Sequence, residues 1–275
     1  MKTVIQSGKT IFEKKHIPSS VDPDTLFSFT SDLKWLLESL EYKMLFPRYN
    51  EEDISFLRSR KYKKIIVPMK CFCDINISKL GLHMEWYGDY GIAFEKKWGI
   101  EHGLQPIQYI NSNSQLCDDM STVFKEAINS AEKDDLKKEK KLYSDLKSEL
   151  LLELLFKKPY TGKMVKRSTS KEAKKCLADE HEWRFIPDAS SLGLPRVIID
   201  QELKKDAVER YSNAMKGEKE VSLSFDYHEI KHIIIKNLSD YKRLVETIKK
   251  WGINEDDQYT ILSRVIVWDE LKGDF

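Results

Sequence analysis

The stretch KKIIVPMKCFCDINIS, residues 63 to 78, constrains the fold more than any other part of the chain. Ile65, Val67, Met69, Cys71, Cys73 and Ile75 take every second position. Successive side chains of a strand point to opposite faces, so this spacing predicts one long strand with a continuous apolar stripe toward a core. Pro68 cannot donate to a ladder, which predicts a sheet edge or a bulge near the start of that strand.

Other segments supply neighbours for this strand. In DTLFSFTSDLKWLLESLEYKML the period changes from two to that of a helix. Leu26, Ser28 and Thr30 alternate with Phe27 and Phe29, and Ser31 or Asp32 can cap a helix carrying Leu33, Leu36, Leu37 and Leu40. GIAFEKKWGIEHGLQPIQYINSN reads as a short strand, a charged turn and a further strand near Ile107 to Ile110. From Met120 to Lys158 the pattern is helical, and Glu132 to Glu149 interleaves six Lys with six Asp or Glu, as a solvated helix does. This predicts a charged helical insertion over about residues 120–158, dividing two sheet-forming halves.

TGKMVKRSTSKEAKK reads as a polar connection, while EWRFIP, VSLSF and IKHIIIK resume strand character. Ser239 is placed to cap an amphipathic helix, and a last helix follows NEDD through Leu271. Strands mixed with separate helices, without regular βαβ alternation, predict a single α+β domain over residues 1–275, closed by C-terminal helices.

Composition removes several function classes. A net charge of +1 provides no global field toward nucleic acid or a membrane. No apolar run approaches the roughly 18 residues that span a bilayer, and the N-terminus lacks the apolar core of a signal peptide. Four cysteines without a Cys-x-x-Cys pair suit a reducing cytoplasm. HExxH, Gly-x-Ser-x-Gly, a P-loop and a dinucleotide glycine fingerprint are all missing. Cys71 and Cys73 belong to the apolar stripe, and His83, His102 and Cys117 follow at irregular spacings, so packing is expected there and no metal site.

Two segments carry candidate chemistry. In HMEWYGDYGIAFEKKWGI, Tyr87-Gly88 and Tyr90-Gly91 lead into a strand; glycine permits close backbone approach and the tyrosines offer flat faces with polar tips. The alternative there is an ordinary turn with aromatic packing. In DEHEWRFIP, residues 179 to 187, Glu180 and Glu182 would share one face if the segment is extended. Such carboxylates could stabilise a cationic ribosyl transition state, or could simply pair with cations on the polar side of a half-buried strand.

VPMKCFCDINIS, WYGDYGIAFEKKWGIEHGLQPIQYI and EHEWRFIP, in that order, resemble the AbiGi family of abortive phage-resistance proteins. LFSFTSDLKWLLES and IIIKNLSDYKRLVETI fit as well, so the resemblance spans about residues 24 to 250. It implies a place in a bacterial antiphage toxin–antitoxin system, with a cognate toxin or antitoxin as partner. The order of blocks is also similar, more remotely, to the ADP-ribosyltransferase fold, which implies a split sheet core and NAD as substrate. In that likeness Ser28 and Thr30 would hold the ribose, Tyr87 or Tyr90 would frame the nicotinamide, and Glu182 with Glu180 would face the ribosyl carbon. The acceptor would be a macromolecule, protein or nucleic acid. Ser28 stands where the likeness implies histidine; a serine hydroxyl can still hydrogen-bond a ribose. The alternative function is a non-catalytic antitoxin or sensor that neutralises a partner through the helical insertion.

Overall fold

The computed structural model describes residues 23–59, 62–132, 149–167, 169–198 and 205–274. Its centre is the strand foreseen from the alternating stripe. The strands are β1 (Thr25–Thr30), β2 (Met44–Leu45), β3 (Arg48–Asp53), β4 (Lys64–Cys73), β5 (Tyr90–Glu95), β6 (Gln105–Pro106) and β7 (Gln108–Ile110). They continue with β8 (Lys157–Pro159), β9 (Thr161–Lys166), β10 (Lys171–Cys176), β11 (Glu182–Phe185), β12 (Leu223–Ser224), β13 (Ile230–Ile235) and β14 (Val265–Val267). The main sheet runs β14-β13-β5-β1-β4-β11-β6, with β3 also paired to β4. Every pairing in it is antiparallel except β13 with β14. With the helices described next, this is an α+β architecture.

The helices are α1 (Leu33–Tyr42), α2 (Leu80–Tyr87), α3 (Lys96–Glu101), α4 (Gln115–Glu132), α5 (149–154), α6 (Lys205–Ala214), α7 (Leu238–Ile248), α8 (Glu255–Ser263) and α9 (Trp268–Leu271). Asp32 caps α1 by accepting from the backbone N–H of Lys34 at 3.0 Å, and Leu33, Leu36 and Leu40 line its buried stripe. That stripe joins Trp98 of α3, Leu244 and Ile248 of α7 and Ile261 of α8 on one face of the sheet. The opposite face is covered by Leu80 and Met84 of α2, by Cys117 and Phe124 of α4, and by Leu151 and Leu154 of α5.

β4 organises the sheet because both its faces are buried. Ile65, Val67 and Met69 meet α4 and α5, while Ile66 and Phe72 pack on the other side. The sequence showed only the first stripe, since Pro68 and Lys70 interrupt the second. Pro68 is not at a sheet edge, but its missing donor is accommodated by a local gap. On the edge used by β11, Phe185 pairs with Lys70 and Ile198 bridges Ile66, and residues 186–197 loop away between them.

The other edge of β4 is forked. Its first residues pair with β3 over six positions, but β1 meets it only where Phe27 pairs with Cys73. Between β1 and β3 the sheet splits, and the fissure opens into a cavity of about 730 Å³ lined from both strands and from β4.

Several boundaries differ from expectation for identifiable reasons. The stretch 161–176 is a two-stranded ribbon of β9 and β10, not a polar connection. Both its faces are largely solvated, so no apolar alternation marks it in the sequence. Lys163 faces Lys174 across it, and Lys166 faces Lys171. The charged turn after β5 is the short helix α3. Asn237, not Ser239, caps α7, accepting from the N–H of Asp240 at 2.9 Å. The helix after NEDD is not continuous to Leu271: α8 ends at Ser263, Val265–Val267 form β14 beside β13, and the short α9 follows. The helical insertion ends before Lys157, which starts β8; residues 133–148 lie outside the described residues.

Gly88 ends α2 ahead of β5 and lies against the end of β1. It adopts φ +139°, and a Cβ there would fall 2.1 Å from the carbonyl oxygen of Thr30. Gly88→Ala is expected to cost about 2–4 kcal/mol in urea unfolding. Gly103→Ala, at φ +74° with nothing within 4 Å, is expected to cost about 1 kcal/mol.

Candidate functional site

One half of the cavity is built around the two glutamates, in a local geometry the sequence did not indicate. Glu180 does not lie on an extended strand; it ends a 3-10 turn, Leu177–Glu180. His181 follows at φ +44°, a left-handed backbone, and Glu182 then opens β11. The sharp reversal still brings the carboxylates together, through a shared cation. Lys158 Nζ donates to Glu180 at 3.1 Å and to Glu182 at 2.9 Å.

Glu182 is fixed along its whole length. Its backbone N–H donates to the Tyr109 hydroxyl at 2.9 Å, and its carbonyl accepts from the N–H of Ile107 at 3.0 Å. Its carboxylate receives Arg184 Nε at 2.6 Å. Arg184 is fully buried, also meets Glu52 at 3.0 Å and donates to the carbonyl of Leu155 at 2.7 Å. The parallel pairing of β7 with β8 sets Tyr109 opposite Lys158, which places both beside Glu182.

Glu180 has a different set of partners. The Tyr87 hydroxyl donates to it in a very short hydrogen bond, and Lys175 Nζ lies at 2.6 Å. Lys175 also sits 4.5 Å above the centre of the Tyr87 ring. His83 stacks on Tyr87 at 4.4 Å between centroids and meets Phe29 at 5.3 Å. The cluster therefore balances three carboxylates, Glu52, Glu180 and Glu182, with three cations, Lys158, Lys175 and Arg184.

The electrostatics follow from that balance. Burial would raise the carboxyl of Glu182, but Arg184 and Lys158 outweigh it and hold it at about 2, against an ordinary 4.5. Glu180 is lowered in the same way, with Lys158 and Lys175 overcoming its burial. Burial, and then Glu180, push the Tyr87 phenol far up, so Tyr87 is a neutral donor. Burial, and then Lys175, bring His83 down to about 4, so a neutral imidazole stacks on Tyr87 at pH 7.

Of the residues singled out from the sequence, Ser28, Thr30, Tyr87, Glu180 and Glu182 all line the one cavity, though not the same wall. Ser28 pairs with Ile92, whose side chain packs under α1, whereas Phe27 and Phe29 point toward α2. Ser28 and Thr30 thus border the cavity on the α1 side of the sheet, and reach the glutamates only through the fissure. It is Phe29 that stands beside His83. Tyr90 is a correction: it pairs with Thr30, shares the α1 face and donates to Asp240 of α7 at 2.8 Å, away from the cavity. A hydrogen bond to the helix N-terminal turn holds it there.

Lys158, Lys175, Tyr109 and Glu52 were missed. His83 was weighed only as a metal donor, and Arg184 only as the residue following the glutamates in the ion-pair alternative, a pairing it does make with Glu182. Only Arg184, two residues after Glu182, carried any local signal. The others arrive from distant segments through pairing registers. Cys71 and Cys73 lie within the packed layer, where burial pushes their thiols well up. Among the described residues, no group of three or more His, Cys, Asp or Glu is placed to hold a metal ion. None of the described helices is long and apolar enough to cross a membrane.

With this geometry in place, comparison with known proteins is informative. The family model described as "Putative abortive phage resistance protein AbiGi, antitoxin" matches residues 43–236, which include β4, Tyr87 and both glutamates. The chain belongs to the AbiGi family. The abortive phage resistance protein AbiGi of Lactococcus lactis subsp. cremoris is 32% identical over 253 residues, covering 83% of this chain and 98% of that protein. No solved structure matches. Membership of AbiGi connects the chain to antiphage defence.

The ion pairs make two outcomes testable. Arg184→Met leaves Glu182 and Glu52 without their shared guanidinium, and is expected to cost about 3–5 kcal/mol in urea unfolding at pH 7. The pH dependence has a defined sign. Glu182 is depressed in the folded state, so its stabilisation is complete above about pH 4.5 and is lost as pH falls through about 2. Glu182→Gln is expected to flatten the urea midpoint profile between pH 4.5 and 2.

Proposed function

We propose that this AbiGi protein is an antiphage effector of the ADP-ribosyltransferase type, which uses NAD to modify a macromolecule. The observation that carries the reading is the convergence of Tyr87, Glu180 and Glu182 on a cavity at a split in the sheet. The split-sheet form of the core suits a dinucleotide laid across the fissure. Neutral His83 and Tyr87 offer a stacked aromatic wall for the nicotinamide ring. Glu182 stays ionised at neutral pH, as a group that faces a developing cation must.

In this reading the bond that breaks is the one between the nicotinamide nitrogen and the ribosyl carbon. The bonding pair leaves with nicotinamide, and positive charge develops on the ribose ring. Glu182 stabilises that charge, and Lys158 keeps it aligned with Glu180. A nucleophilic group of the acceptor then bonds to the ribosyl carbon and releases its proton. Glu180, held by Lys175 and Tyr87, orients the acceptor or a ribose hydroxyl.

A second reading has its own support, in the word "antitoxin" that describes the family model. In that reading the chain binds and neutralises a partner toxin through the insertion over about 120–158. Its described part includes α4 from Met120 onward, where Val123 is exposed. Co-expression separates the two: toxicity of this chain alone supports the effector, and rescue of cells from a neighbouring gene product supports the antitoxin.

The effector reading predicts labelling of a macromolecule when the protein meets radiolabelled NAD and bacterial extract. Glu182→Gln, checked for folding by circular dichroism, is expected to reduce labelling at least about 100-fold. Equal labelling by both proteins, or none by either, dismisses the transferase.

A further inference from the structure

The other half of the cavity, on the α1 side of the sheet, contains a cation that the fold leaves uncompensated. Strand alternation turns Lys70 away from Cys71 and toward the side of Phe72, into a lobe lined by Ser28, Trp35, Glu38, Ser212 and Lys216. The half-buried Lys158 has two carboxylates, and Lys216, exposed at the rim, meets Glu38 at 2.5 Å. Lys70 is half-buried, and among the described residues its side chain makes no hydrogen bond or ion pair. Burial brings its amine down to about 8, opposed by Cys71 and reinforced by the smaller effect of Arg48. An amine held in this way costs stability until an anion reaches it.

The rim adds a flat apolar surface. The Trp35 indole is 37% exposed, and Lys216 Nζ lies 5.1 Å from its ring centre. The remaining charged groups on this side are Glu38 on α1, Glu209 on α6 and Glu51 on β3, which meets Lys64 at 2.7 Å. Arg48, also on β3, pairs with Met69 and so stands on the other face of the sheet. An ammonium at the floor, a second at the rim and an exposed indole between them match phosphate and base in one ligand.

We propose that the lobe around Lys70 and Trp35 is a nucleoside-phosphate subsite, with phosphate at Lys70 and Lys216 and the base stacked on Trp35. This deepens the NAD reading and rests on it for one point only: the fissure lets a single dinucleotide reach from this lobe to Glu182. The subsite itself stands on the unpaired lysine and the indole.

The test is calorimetric titration with ADP and with inorganic pyrophosphate at pH 8 and low salt. ADP is expected to bind wild type, and Lys70→Gln to weaken it at least about tenfold, while Lys70→Arg retains most of the affinity. Trp35→Ala is expected to weaken ADP but not pyrophosphate. Because a bound phosphate raises the amine of Lys70, binding at pH 8 should take up close to half a proton, read from two buffers of different ionisation enthalpy. Lys70→Gln should abolish that uptake, and since it removes an uncompensated charge it should not lower the unfolding midpoint. The subsite is overturned if ADP fails to bind, binds Lys70→Gln equally, or binds without proton uptake. Pyrophosphate binding as tightly as ADP overturns the stacking role of Trp35. Lys70-dependent ADP binding without macromolecular labelling would leave the subsite standing and remove the transferase; labelling insensitive to Lys70→Gln would do the reverse.

Discussion

A fully buried guanidinium governs the region where the sheet divides. Arg184 has no contact with water, so its charge must be met inside the protein. Glu182 and Glu52 meet it, and the carbonyl of Leu155 takes a further donor. Those three partners come from β11, β3 and the end of α5, so one side chain ties together three segments that share no continuous ladder. Glu182 is drawn into the interior as part of this arrangement, and Lys158 follows because a single guanidinium cannot satisfy both carboxylates. The position of the glutamates in the cavity is thus a consequence of how the fork in the sheet is held.

The same network sets what chemistry the cavity can host. A carboxylate clamped between Arg184 and Lys158 is kept charged, rigid and deaf to ordinary changes of pH. That suits a group asked to face a transient cation and does not suit one asked to shuttle protons. Tyr87 and His83 are neutral for the same environmental reasons, which leaves an aromatic wall without charge beside a pair of fixed anions. The α1 side is the electrostatic opposite, with an amine that nothing in the described fold neutralises. The cavity therefore has two ends of unlike character joined through the fissure.

How much of this was legible in the sequence depended on how local each cause was. β4 and α1 were readable because their stripes are continuous and Asp32 is a local cap. The family was readable because its blocks are short, ordered and distinctive. Glu180, Glu182 and Tyr87 could be picked out as a possible constellation, since a paired acid and a tyrosine-glycine step are visible in the chain. Their true supports could not. Lys158 and Tyr109 reach the glutamates through a three-residue parallel pairing between β7 and β8, and Lys175 through a ribbon whose solvated faces carry no apolar period. Tyr90 misled because its glycine step looks like that of Tyr87, but Tyr87 ends a helix on one side of the sheet while Tyr90 opens β5 and faces the other. Pro68 appeared to forbid a central strand, and the fold resolves this with a gap in one partner.

The ribbon of β9 and β10 has a mechanical corollary. Lysines confront each other across it twice, offset in part by the cross-strand ion pair of Lys163 with Glu172 at 3.1 Å. What restrains it is anchorage to its surroundings: Lys175 to Glu180 at the base, and Lys166 to Glu85 and Arg167 to Asp89 nearer the tip. The base anchor is buried and the outer two are not, so added electrolyte slackens the outer moorings first. The end of the ribbon that holds Glu180 is therefore the part least sensitive to ionic strength.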